Sequence, residues 1–131
     1  MPRILLYAAG LIILLHGLIH LMGFVAYWPL APIQDLPYKT ALLGGRWNLG
    51  AGGMRAYSVL WLAAAAWFLV SVIGLVLQQG WWRASMLGAA LLSLAISALD
   101  WAVAFRGALI DGLIIAVIIA LPWLRTLLPT P

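Results

Sequence analysis

Two imidazoles, His16 and His20, stand four residues apart inside the apolar run Leu11-Ile12-Ile13-Leu14-Leu15-His16-Gly17-Leu18-Ile19-His20-Leu21-Met22-Gly23-Phe24, and the chain has no other histidine. Four residues is one helical turn, so both rings fall on one face, about 6 Å apart along the axis. Two imidazoles in that relation can share one metal ion, and a carboxylate from a facing helix supplies a third ligand. The chain offers Asp111 and Asp100 for that role. His16, His20 and Asp111, with Asp100 as the further acid, therefore form a candidate site for one divalent transition metal (zinc, copper or iron) that leaves positions open for water or substrate. The same groups can carry protons, because imidazole titrates near neutrality and a carboxylate partner strengthens its hold on the proton. Haem held by both rings is disfavoured: axial ligands approach iron from opposite faces, and two rings stacked on one helix do not.

The supporting residues follow from the same helical geometry. Ala89, Ser93, Ser97, Asp100 and Ala104 share a face that is small and polar, the composition of a helix contact. Arg106 lies between Asp100 and Asp111 and is positioned to pair with either. A plainer reading stands beside the metal site. In it the histidines are neutral and bonded to a serine or carbonyl, the aspartates pair with Arg106, and the serines serve packing.

The elements that must position these groups are apolar throughout. Of 131 residues 66% are hydrophobic and 8% charged, with a mean hydropathy of +1.12, too few charges to cover a soluble domain. Without cysteine, disulfides, thiolate metal sites and cysteine catalysis are excluded. There is no Gly-x-Ser-x-Gly elbow and no Glu beside the histidines to make a His-Glu-x-x-His zinc site. Seven scattered Lys/Arg against three acids form no basic run, which argues against nucleic acid as a partner.

Four apolar segments reach membrane-spanning length, at about residues 4–27, 57–77, 83–104 and 107–125. In lipid each backbone must satisfy its own hydrogen bonds, so the spans are helices. The expected fold is one all-α domain, a compact bundle of four transmembrane helices in a polytopic membrane protein. A long Gly/Pro-rich loop, about residues 28–56, joins the first two helices and lies across the bundle mouth. Pro129 and Pro131 bar further helix at the end. The first apolar run lacks a small-x-small cleavage site and reads as a retained span rather than a signal peptide.

Trp28, Trp81, Trp82, Trp101 and Trp123 fall at span ends, where the indole prefers to sit, and Tyr27 reads as a member of the same belt. Trp61 and Trp67 lie inside the second span as packing or lipid-facing residues. Four spans place both termini on one side, the terminal side; the first loop and the third connection are on the far side. Arg3, Arg83 and Arg125 on the terminal side against Lys39, Arg46, Arg55 and Arg106 on the far side leave orientation open. The face Ala9, His16, His20, Gly23 and Tyr27 of the first span points inward, as do Asp100 and Asp111, and Asp35 belongs to the covering loop.

The pattern His16-Gly17-x-Ile19-His20-Leu21-x-Gly23-Phe24, with Leu36-Pro37-Tyr38 and Leu42-x-Gly44-Gly45-Arg46 after it, resembles a group of small uncharacterised bacterial four-span membrane proteins. In length and span count the chain is more distantly similar to the DoxX-like proteins. The resemblance implies a multi-pass protein of the bacterial inner membrane and transfers no site residues. Three functions are compatible with the sequence: a membrane module whose His/Asp cluster binds a metal cation or protons, an accessory subunit of a larger membrane complex or homo-oligomer, and a module binding lipid or another hydrophobic ligand under the Gly-rich loop.

Overall fold

The computed structural model describes residues 3–127. Four helices account for most of them: α1 (Arg3–Tyr27), α2 (Gly50–Val76), α3 (Trp82–Leu99) and α4 (Trp101–Leu127). All four contain stretches long and apolar enough to cross a membrane. The shortest, α3, has 18 residues, or about 27 Å at the α-helical rise, close to the thickness of a hydrocarbon core. Pro129 and Pro131 lie outside the described residues, as does the Arg125 side chain.

The helices pack in chain order, α1 on α2, α2 on α3 and α3 on α4, and α1 and α4 share no comparable seam. Glycines set the α1–α2 seam. A Cβ on Gly17 would lie 2.6 Å from the Cβ of Phe68, and one on Gly23 would lie 2.3 Å from the indole of Trp61. Without side chains there, the two backbones approach closely enough to bury Phe68 and Trp61 against α1, the usual means of tightening helix contacts where water does not drive them together.

Two apolar clusters fill the interior. On the far side Ala26, Tyr27, Met54, Tyr57, Trp61, Ala64 and Ile96 pack together with Leu42 of the loop. On the terminal side Leu6, Phe68, Val72, Leu75, Met86, Ala89 and Ala90 form the second. His16, His20 and Ser93 fall between the two along their helices.

Two boundaries and one loop element differ from the sequence expectation. The loop ends at residue 49, because α2 begins at Gly50 and takes in Ala51, Gly52 and Gly53, despite three glycines of low helix propensity. The chain turns from α3 to α4 at Asp100 (φ −119°, ψ 40°) rather than near residues 104–107, since residues 101–106 contain no helix breaker. Finally, the Gly/Pro-rich loop carries a small antiparallel hairpin, β1 (Ala41–Leu42) and β2 (Trp47–Asn48). Its turn uses Gly44 and Gly45 at φ 65° and 88°, angles that favour glycine. The hairpin seats Leu42, 1% exposed, in the far-side cluster.

Candidate metal centre

His16 and His20 project from the middle of α1 into the bundle, as their spacing requires, with ring centroids 5.0 Å apart and planes nearly perpendicular. Phe68 of α2 closes over both rings at 5.3 and 5.6 Å, and Trp61 lies 5.4 Å from His20. Ser93 comes from α3 and Asp111 from α4. His16, His20, Ser93 and Asp111 are each at most 5% exposed.

One continuous set of hydrogen bonds joins them. His16 Nε2 lies 2.7 Å from Asp111 Oδ1. Ser93 Oγ is 2.5 Å from Asp111 Oδ2 and 2.5 Å from His20 Nε2. His20 Nδ1 is 3.0 Å from the carbonyl oxygen of His16, one turn back on the same helix.

A carbonyl only accepts, so His20 Nδ1 must donate. In a neutral ring His20 Nε2 is then an acceptor and takes the Ser93 hydroxyl hydrogen, which leaves none between Ser93 and an ionised Asp111. Should Ser93 donate to Asp111 instead, His20 Nε2 must donate as well and the ring is cationic. Four contacts need four hydrogens, and two neutral imidazoles, one hydroxyl and a carboxylate supply three of them. One added positive charge completes the set and also neutralises a carboxylate that is 0% exposed.

A metal ion meets the same need. One ligand atom each from His16, His20 and Asp111 lies within 4.8 Å of the others, so movements of about an ångström bring them to bonding distances around one ion. The bond from His20 Nδ1 to a backbone carbonyl is how metal-binding imidazoles are oriented, since it fixes the ring with Nε2 turned toward His16 and Asp111 as the atom that would ligate. Ser93 steadies the carboxylate in the same way.

Asp100 does not join this group. It is buried at the far end of α3 and accepts hydrogen bonds from the Tyr27 hydroxyl and the Lys39 ammonium. The anticipated single cluster is thus two polar layers, with the rings of Trp61, Tyr27 and Tyr57 packed against one another beside the outer one. Trp61 touches both layers, 5.4 Å from His20 and 6.2 Å from Tyr27 between ring centroids. Arg106 pairs with neither aspartate. The two acid–base contacts among the described residues are His16 with Asp111 and Lys39 with Asp100. Because α4 starts at residue 101, Arg106 lies on its second turn, exposed, with its guanidinium 5.7 Å from the Phe105 ring. Ser97 is buried but is a packing residue, 3.6 Å from the position a Cβ on Gly107 would take. Asp35 is exposed in the loop.

Sequence reasoning placed Tyr27 in the aromatic belt, whereas it is 0% exposed and bonded to Asp100. It also passed over Lys39. The signal was present: Lys39 is the only lysine of the chain and sits in the one loop able to cover the mouth. Comparison with known proteins finds no matching family, curated protein or solved structure.

Proposed function

We propose that this chain is an integral membrane protein of the bacterial inner membrane that binds one divalent transition-metal ion within the bilayer, with His16, His20 and Asp111 as ligands and Ser93 orienting the carboxylate. The observation that carries the proposal is the convergence of three buried donor side chains from two helices on one spot, in a chain with only two histidines and three acids to spend. Ionisable groups so deep in apolar helices are costly even when paired, so their presence points to a functional site. The missing hydrogen in the network supports the same reading: without metal, a proton takes the place of the ion. Nitrogen and carboxylate donors suit zinc, copper or iron. The likeness to the bacterial four-span group, carried by the His16 to Phe24 motif, is proposed on the same residues.

The test is metal analysis of protein purified in mild detergent without chelator. One equivalent of metal is expected, lost in His16→Ala, His20→Ala and Asp111→Asn and retained in Asp100→Asn. Cobalt added to the metal-free protein should show the strong visible bands of a low-coordinate site. Metal-free protein that takes up no cobalt refutes the proposal.

A further inference from the structure

The open seam between α1 and α4 forms a groove on the terminal side of the bundle. It has a volume of about 630 Å³, within the range of small-molecule sites, and is walled by Ile12 and Ile13 of α1, Met86 of α3, and Leu113, Val117 and Ile118 of α4. Ala9 widens its α1 wall, and Arg83, on the first turn of α3, stands at its rim. The walls are apolar and the rim is cationic.

Among the described residues no acidic side chain neutralises that cation. The three acids are Asp35, Asp100 and Asp111. The first lies in the far-side loop, the second is held by Lys39 and Tyr27 at the far end of the bundle, and the third is bonded to His16 and Ser93. The guanidinium of Arg83 lies 5.5 Å from the Trp82 ring and is partly exposed. The amino-terminal end of α3 directs its partial positive charge to the same rim. Span ends of this kind lie at headgroup level, where basic pockets between helices hold anionic lipid heads.

We propose that the α1–α4 groove binds one anionic phospholipid, an acyl chain filling the seam and the phosphate resting on Arg83. The site is separate from the His/Asp centre and does not depend on its metal. It also differs from the lipid site expected under the Gly-rich loop, because it opens on the opposite side of the bundle.

The experiment places the full chain in nanodiscs of equimolar phosphatidylglycerol and phosphatidylcholine, extracts it in mild detergent, and counts retained lipids by native mass spectrometry. One retained phosphatidylglycerol is expected, favoured over phosphatidylcholine by about fivefold, the ratio one interfacial arginine supports. Arg83→Gln should bring the ratio to unity, Arg3→Gln should leave it unchanged, and Ala9→Trp should expel the lipid of either type. Helical circular dichroism and a single elution peak confirm that each variant is folded. Equal retention of the two lipids by the native chain, or a preference that survives Arg83→Gln, overturns the proposal. So does a lipid-free dimer cross-linked through cysteines at positions 9 and 117, which would make a second copy the occupant.

Discussion

Replacing Asp111 by asparagine and by leucine separates the roles of shape, hydrogen bonding and charge at the centre. In Asp111→Asn the amide oxygen accepts from His16 Nε2, the amide nitrogen donates to Ser93, and the Ser93 hydroxyl is free to donate to a neutral His20. All four contacts then have a hydrogen, and no buried charge remains. Stability in metal-free buffer should equal or exceed that of the native chain. Asp111→Leu has a similar volume but leaves His16 Nε2 and one side of Ser93 unpartnered. At the ~0.6 to ~1.7 kcal/mol measured for side-chain hydrogen bonds inside membranes, two lost contacts cost about 1–3 kcal/mol. That is a roughly 5- to 150-fold change in the unfolding equilibrium. The assay is reversible unfolding by sodium dodecyl sulfate from mixed micelles with chelator present, followed by far-ultraviolet circular dichroism. Both variants should also lose metal, so affinity and stability move apart in one and together in the other. If Asp111→Asn destabilises as much as Asp111→Leu, the hydrogen arithmetic is wrong and the ionised carboxylate is a structural ion-pair partner of His16.

Two further outcomes follow from the packing. Gly17→Ala places its methyl 2.6 Å from the Cβ of Phe68, an atom fixed to the α2 backbone, so the α1–α2 seam must open at a cost of about 1–3 kcal/mol in the same unfolding assay; Gly10→Ala, whose Cβ meets only ordinary contacts at 3.6 Å, should be nearly neutral. Lys39→Met leaves Asp100 with the Tyr27 hydroxyl as its remaining side-chain partner and should cost about 1.5–3 kcal/mol, the range for a hydrogen bond to a charged group. Limited proteolysis should then cut the 28–49 loop faster, and Lys39→Arg should restore protection.

The parts of this structure legible in the sequence were those set by local rules. Helical periodicity placed His16 and His20 on one inward face, and span length gave four helices. The small, polar stripe of α3 marked Ser93 as a helix-contact residue, but nothing in it showed that Ser93 bonds both His20 and Asp111. What the sequence hid depends on long-range contact. Asp100 and Asp111 share an inward direction, but the turn at Asp100 leaves one at the mouth and carries the other eleven residues into α4. Arg106 looked like their partner because it lies between them in sequence; one helix beginning six residues earlier than expected turned it outward. Lys39 reaches Asp100 across 61 positions through a loop whose path no periodicity describes.

His16 and Asp111 are separated by 95 positions, and the seam between their helices has few other ties. During synthesis the first three spans can enter the bilayer and pack while both imidazoles still look out through a missing wall. The last span brings the carboxylate, and with it the only group able to finish the centre. On the proposed function, occupancy by a cation requires α4 to be docked against α1, a state that the first three spans alone do not reach.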